Sequence, residues 1–178
     1  MSFLTKPHSE LKTFHDCVRD DLELAELPAF LRVLITTDGT VTSSLEAYFW
    51  EPVTVETKRQ VPLVLAQAEP AINAAAGDEV LLRQVQLRGQ YSNTVFVEAR
   101  SLIRMDLLPE NIRADLKKQK LGIGELLRDC ELETYREILE VGKDEQCHHV
   151  WRKYRIVMEH RPFIQITESF PLNAFQTH

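Results

Sequence analysis

The fold of this chain is indicated by one stretch near its C-terminus, Pro162-Phe163-Ile164-Gln165-Ile166-Thr167-Glu168-Ser169-Phe170-Pro171. Successive side chains of a β-strand point to opposite faces of the sheet. One face of this strand then carries Phe163, Gln165, Thr167 and Ser169, and the other carries Ile164, Ile166, Glu168 and Phe170. Glu168 therefore falls on the apolar face, where a carboxylate is almost never buried without a partner.

A second predicted strand carries a cation in the equivalent position. In residues 80–87, one face holds Leu81, Arg83, Val85 and Leu87. Two inward-pointing charges of opposite sign indicate a polar site inside a cavity lined by the sheet. They are equally compatible with a buried structural pair between Arg83 and Glu168, and side-chain alternation does not decide between these interpretations.

Length and composition restrict the class of protein. A chain of 178 residues suits one domain with a sizeable core. The formal net charge of −6 argues against nucleic-acid binding, which relies on clustered Lys and Arg. No apolar run is long enough for a membrane span. The first residues lack the apolar core of a secretory signal, and three cysteines without motif spacing favour a reduced, cytoplasmic setting.

The hydrophobic pattern predicts one domain over residues 1–178, in which residues 1–27 form an N-terminal helical extension. The predicted helices are residues 9–24, a segment that begins at Pro28, a short segment capped by Thr40 or Thr42, a segment that begins at Pro109, and residues 133–141, ended by Gly142. The predicted strands are residues 53–61, 80–87, 94–103 and a terminal hairpin of residues 150–158 and 163–170. Because several connections are too short for parallel crossovers, the expected class is α+β with a largely antiparallel sheet.

No metal or cofactor site is predicted. Cys147-His148-His149 are adjacent residues, which rarely bind one ion together, and no second Cys/His cluster supplies further ligands. Gly122-Ile123-Gly124 is too short for a dinucleotide fingerprint.

Four segments resemble, in their order and spacing, the chorismate pyruvate-lyases, including the diverged bacterial branch that makes 4-hydroxybenzoate. The segments are residues 31–46 (LRVLITTDGTVTSSLE), 82–87 (LRQVQL) with 96–103 (FVEARSLI), 121–127 (LGIGELL) followed by 134–137 (TYRE), and 152–156 (RKYRI) with Pro162 and Thr167-Glu168. The resemblance implies a single antiparallel sheet with helical flaps over a buried ligand. It also implies elimination of pyruvate from chorismate without a cofactor.

The resemblance implies a role for several residues by matched position. Arg83 corresponds to the arginine that binds the ring carboxylate, and Glu168 corresponds to the glutamate that contacts the ring hydroxyl. The remaining substrate contacts implied are Val41, Ile123 and Gly124 around the ring, and Arg100 on the path of the ligand. Val41 and Ile123 differ in type from the residues of the best-known branch, and the turn of residues 159–162 lacks the glycine common there.

Two roles stay open. Glu168 is either a hydrogen-bond acceptor for the ring hydroxyl or a general base. Arg100 either neutralises the enolpyruvyl carboxylate or forms a surface ion pair. It shares a face with Phe96, Glu98 and Leu102, which favours the surface pair unless a bulge redirects it.

The expected function is that of a lyase whose partners are chorismate and 4-hydroxybenzoate, with no nucleic acid and no membrane. Product inhibition is expected because Arg83 and Glu168 contact atoms that survive in the product. The product feeds either quinone or phenolic-lipid biosynthesis. The alternative is a non-catalytic module that binds or senses an aromatic carboxylate, as this fold does in GntR-type transcription regulators. The sequence leaves the oligomeric state open.

Overall fold

Six strands pair into one open antiparallel sheet in this computed structural model, which describes residues 13–118, 123, 127, 133–146 and 148–176. The strands are β1 (Val53–Val64), β2 (Glu79–Gly89), β3 (Val95–Ile103), β4 (Thr134–Lys143), β5 (His149–Met158) and β6 (Arg161–Pro171). Their order in the sheet is β1-β2-β3-β6-β5-β4. The predicted α+β class with an antiparallel sheet is therefore confirmed.

The sheet joins two meanders, and their junction lies at its centre. Strands β1, β2 and β3 pair in sequence order, as do β4, β5 and β6. The two halves meet where β3 pairs with β6, with Ala99 opposite Glu168 and Ser101 opposite Ile166. Strand β6, which carries Glu168, thus occupies the centre of the sheet, where a carboxylate is far from either edge.

Three α-helices lie within the continuous described ranges: α1 (Ala29–Thr36), α2 (Val41–Phe49) and α3 (Glu110–Lys117). The described residues Ile123 and Leu127 are also helical. Pro28 and Pro109 immediately precede α1 and α3, as predicted. Helix α1 buries Leu31, Leu34 and Ile35 completely, which is the i, i+3, i+4 spacing of one helix face. No helix in this part of the chain is long and apolar enough to cross a membrane.

The helix predicted over residues 133–141 is wrong, because this segment is strand β4. The Oε2 atom of Glu137 accepts a hydrogen bond of 2.8 Å from Arg155 Nε across the β4–β5 pair. Gly142 does not end a helix but faces Trp151, and an added Cβ would lie 2.7 Å from that ring. Pairing with a neighbouring strand here overrides a weak local helix propensity.

The N-terminal helix prediction is also wrong over the residues that the structure describes. Residues 13–27 contain only two short 3-10 turns, His15–Cys17 and Leu24–Glu26. Between them, Val18 forms a parallel bridge with Val141, and Arg19 N–H donates to the Val141 carbonyl at 2.9 Å. The segment therefore runs along the edge of β4 in place of the predicted helical extension.

The three helices cover the face of the sheet to which Glu168 points. One apolar cluster packs α1 and α2 against Phe96, Val97 and Phe170, and a second packs α3 against Ile103 and Ile164. The opposite face carries a smaller cluster around Ile72. The space between the two larger clusters is where the polar residues of the helix-covered face lie.

A single bulge sets the register at the centre of the β5–β6 hairpin. The turn residues 159–160 have φ values of 48° and 61°, the left-handed values of a type I′ hairpin turn. Beyond the turn, Phe163 is an extra residue in β6, and Arg152 consequently pairs with Glu168. An uninterrupted register would place Arg152 opposite Thr167, whose side chain points to the other face.

Candidate functional site

A cavity of about 430 Å³ lies between the helices and the sheet. All six strands contribute residues to its lining, and the residues that begin α2 lie on its opposite side. This volume lies within the usual range for small-molecule sites, about 300–1,000 Å³.

Arg83 and Glu168 both line this cavity, but they do not lie on adjacent strands. Arg83 pairs with Ser101 on β3, and Glu168 pairs with Ala99 on the same strand. One intervening strand and an offset of two residues along it separate the backbones of Arg83 and Glu168 by about 12 Å. The small side chains of Ala99 and Ser101 on that strand leave space between the two charged groups.

The partner of Glu168 is Arg152. Arg152 Nε donates to Glu168 Oε2 at 2.7 Å, and the hydroxyl of Tyr154 donates to Oε1 at 2.9 Å. Glu168 is 8% exposed, Tyr154 5% and Arg152 1%. Each carboxylate oxygen thus has one donor, and a carboxylate oxygen can accept a second hydrogen bond.

Arg152 also links the sheet to the loop between α1 and α2. Its Nη1 atom donates to the Thr37 carbonyl at 2.6 Å, and its guanidinium lies 5.0 Å from the centre of the Tyr154 ring. Burial acts to lower the pKa of Arg152, but attraction to Glu168 and Tyr154 outweighs it, so that the pKa is raised. The guanidinium therefore remains charged while it holds Glu168 and the loop.

Tyr154 is held as a hydrogen-bond donor. Burial is the largest cause of the raised pKa of its hydroxyl, and repulsion by Glu168 adds to it. The proton stays on the tyrosine and points at the carboxylate of Glu168.

Arg83 supplies the charge on the other side of the cavity. It is 2% exposed, and its Nη2 atom donates to Thr57 Oγ1 at 3.4 Å. Burial lowers the pKa of its guanidinium. A bulge in β1 between Thr57 and Arg59 shifts the register beside Arg83, a local irregularity of the kind found next to binding sites.

The remaining predicted site residues are placed differently. Val41 and Ile123 are buried and line the cavity. Gly124 lies outside the described residues. Arg100 is exposed and points away from the cavity, because its neighbours Ala99 and Ser101 occupy the cavity face of β3. No register shift interrupts β3 between Glu98 and Ile103, so no bulge redirects Arg100.

Three residues of the site, Arg152, Tyr154 and Arg136, were not predicted from the sequence. Arg152 and Tyr154 alternate with residues of the other face in a strand that was predicted, so the same pattern that identified Glu168 could have found them. Arg136 lines the cavity from β4, and its Nη1 atom donates to the Asp38 carbonyl at 2.8 Å. The helix predicted over that segment concealed the alternation.

Comparison with known proteins identifies a family match over most of the chain. The family described as chorismate pyruvate-lyase, Rv2949c-like, matches residues 35–177. A protein named chorismate pyruvate-lyase from Mycobacterium leprae is 34% identical over 86% of this chain and 80% of its own length. One of the same name from Mycobacterium tuberculosis is 29% identical over 90% of this chain and 89% of its own length.

Solved structures share the fold at low sequence identity. The effector domain of PhnF from Mycobacterium smegmatis aligns with a TM-score of 0.53 and 10% identity, over 76% of this chain and 90% of that domain. The C-terminal domain of the histidine utilization repressor from Pseudomonas syringae aligns with a TM-score of 0.51 and 11% identity, over 71% of this chain and 96% of that domain. At this identity the likeness concerns the fold alone.

The first prediction concerns the buried ion pair. Arg152→Met should lower the free energy of unfolding by about 3–5 kcal/mol, because it leaves Glu168 buried without its cation. Urea unfolding measures the loss. Arg155→Met is the matched control on the same strand, since its ion pair with Glu137 is exposed and is worth about 1 kcal/mol or less.

A double variant separates the buried charge from lost packing. Adding Glu168→Leu to Arg152→Met should recover part of the lost stability, because no unpaired buried charge remains. Equal, small losses for Arg152→Met and Arg155→Met would contradict the account of this pair.

The second prediction concerns the pH dependence of stability. The pKa of Tyr154 is raised in the folded protein, whereas an unfolded tyrosine has a pKa of about 10. Above that pH the unfolded chain loses this proton and the folded protein keeps it, so stability falls as pH rises. Between pH of about 9 and 11, wild type should lose about 1.4 kcal/mol more than Tyr154→Phe.

Urea unfolding at the two pH values measures this difference. The exposed Tyr135 gives the control, because Tyr135→Phe leaves Tyr154 in place and should retain the greater loss. The same loss in wild type and Tyr154→Phe would show that Tyr154 ionises normally in the folded protein.

Proposed function

We propose that this chain, which belongs to the Rv2949c-like chorismate pyruvate-lyase family, eliminates pyruvate from chorismate and releases 4-hydroxybenzoate. The observation that carries the proposal is the pair of charged groups, Arg83 and Glu168, that face one cavity across the small residues Ala99 and Ser101. The names of the mycobacterial relatives support the reaction, and the cavity supports a substrate of that size.

The reaction requires the protein to orient the substrate and needs no covalent bond between protein and substrate. The ether bond between the ring and the enolpyruvyl group breaks, and the ring loses the hydrogen on the carbon that bears the hydroxyl. The ring becomes aromatic, and the departing enolpyruvate takes up a proton at its methylene carbon to become pyruvate. Because aromatisation supplies the driving force, a protein accelerates the step by holding the substrate and stabilising charge.

Arg83 and Glu168 fit the two ends of the ring. The ring carboxylate and the hydroxyl lie on opposite carbons, so a cation and an acceptor on either side of the cavity match them. Arg83 binds the ring carboxylate through its guanidinium, which suits the two oxygens of a carboxylate. Glu168 accepts a hydrogen bond from the hydroxyl, since its oxygens keep acceptor capacity beyond Arg152 and Tyr154.

The surroundings of Glu168 favour the acceptor role over that of a general base. A proton on Glu168 would cancel its charge beside the buried guanidinium of Arg152, and an uncompensated buried charge is costly.

Val41 and Ile123 supply apolar walls against the ring. The product keeps the ring, the carboxylate and the hydroxyl, and we therefore expect it to inhibit.

A ligand-sensing role is the second candidate, since the fold is shared with a repressor domain and an effector domain. Turnover separates the two functions. Purified protein incubated with chorismate should produce equal amounts of 4-hydroxybenzoate and pyruvate by chromatography, whereas a sensing module would bind without product.

The third prediction concerns Arg83. Arg83→Met should lower kcat/KM for chorismate by roughly 30- to 4,000-fold, the equivalent of about 2–5 kcal/mol for one partner of a buried charged contact. Steady-state assays of 4-hydroxybenzoate formation measure it. Arg155→Met provides the control, because Arg155 pairs with Glu137 on the opposite face of the sheet. Near-normal kcat/KM in Arg83→Met would remove Arg83 from the site.

A further inference from the structure

The proposed substrate carries a second carboxylate that neither Arg83 nor Glu168 binds. The inference drawn here rests on the proposed function, and the structure of chorismate shows where the second carboxylate lies. The enolpyruvyl ether is attached to the ring carbon next to the one that bears the hydroxyl. The second carboxylate therefore lies on the hydroxyl side of the ring, away from the ring carboxylate. The product lacks this group.

The strand order places one cation on that side of the cavity. Arg83 is on β2 and Glu168 on β6, and the sheet continues from β6 through β5 to β4. Arg136 is on β4, where it pairs with Ile156, and both residues line the cavity. Of the described residues that line the cavity, the two cations are Arg83 and Arg136, and they lie on opposite sides of Glu168.

Arg136 lies near the group that holds Glu168. Its Nη1 atom donates to the Asp38 carbonyl at 2.8 Å, and Nη1 of Arg152 donates to the adjacent Thr37 carbonyl at 2.6 Å. Arg136 therefore lies beside the cation that holds Glu168, close to the place where the proposed hydroxyl contact forms. Burial is the largest cause of the raised pKa of Tyr154, and the positive charges of Arg152 and Arg136 oppose that rise.

The present contact of Arg136 is one that a ligand can share or replace. Nη1 donates to the Asp38 carbonyl at 2.8 Å, and the side chain is only partly buried. A guanidinium has further N–H donors in a planar fork that matches a carboxylate. The acidic group that lines this cavity besides Glu168 is Glu46, whose Oε1 accepts from the Val53 amide at 3.0 Å.

We propose that Arg136 binds the enolpyruvyl carboxylate and so adds to the binding of the dicarboxylate substrate but not to that of the monocarboxylate product. After the ether bond breaks, this contact stays with pyruvate and no longer holds the ring. Asp38 lies in the loop between α1 and α2, just before the α2 residues that line the cavity. Because Arg136 donates to the Asp38 carbonyl, it connects the leaving group with this loop. Arg136 thus replaces Arg100, which is exposed on the other face of β3, as the contact for this carboxylate.

The test compares two ligands in one variant. Arg136→Met should lower kcat/KM and binding affinity for chorismate by roughly 10- to 100-fold, as for loss of one charged hydrogen bond. Affinity for 4-hydroxybenzoate, measured by calorimetry, should change by about twofold or less, because the product has no enolpyruvyl carboxylate. Arg136→Lys should recover part of the chorismate affinity, since it keeps the charge but not the fork.

Arg155→Met on the neighbouring strand is the control and should leave both affinities unchanged, since its side chain lies on the other face. Unchanged chorismate affinity in Arg136→Met would overturn the inference, as would an equal loss for both ligands. A selective loss of chorismate affinity in Arg100→Met, with Arg136→Met normal, would return the role to Arg100.

Failure of the proposed function has a different signature. A wild-type protein that binds chorismate but forms no product disproves the lyase. The ratio of chorismate to 4-hydroxybenzoate affinity in wild type and Arg136→Met still decides the role of Arg136 in that case. A wild-type protein that binds neither compound overturns both proposals.

Discussion

The buried contact between Arg152 and Glu168 is the interaction on which the rest of the site depends. A carboxylate at the centre of a sheet and under three helices requires a cation within hydrogen-bond distance, and Arg152 Nε supplies it at 2.7 Å. The same guanidinium donates to the Thr37 carbonyl, so one side chain fixes both the floor of the cavity and the loop that leads to α2. Tyr154 completes the arrangement as a donor that keeps its proton.

Register is the constraint that makes this contact possible. One extra residue in β6, Phe163, moves Arg152 from the partner of Thr167 to the partner of Glu168. A shift of one residue in a strand reverses the face of every side chain beyond it. The bulge therefore determines whether the Arg152 guanidinium lies on the same face as the Glu168 carboxylate or on the opposite face. The central pairing of β3 with β6 then places Ala99 and Ser101 between Arg83 and Glu168, where larger side chains would fill the cavity.

Alternation along well-marked strands predicted much of this arrangement. It identified Arg83 and Glu168 as inward charges, and the hairpin and both central strands were placed within a few residues. It did not reveal that Glu168 pairs with Arg152, because the bulge at Phe163 sets their register and the alternation of one strand does not show the register with its neighbour. Arg136 was missed for another reason. Residues 133–141 form an edge strand whose composition also suits a helix, and only pairing with β5 decides between them.

A crystal structure of the protein with 4-hydroxybenzoate shows directly whether Arg83 and Glu168 bind the two ends of the ring. We expect the ring to lie above Ala99 and Ser101, with its carboxylate on Arg83. Its hydroxyl should lie within about 3 Å of a Glu168 oxygen that still accepts from Arg152 or Tyr154. Arg136 should make no contact with this ligand. A ring bound elsewhere, or bound in the reverse direction with its carboxylate at Arg136, would contradict the account.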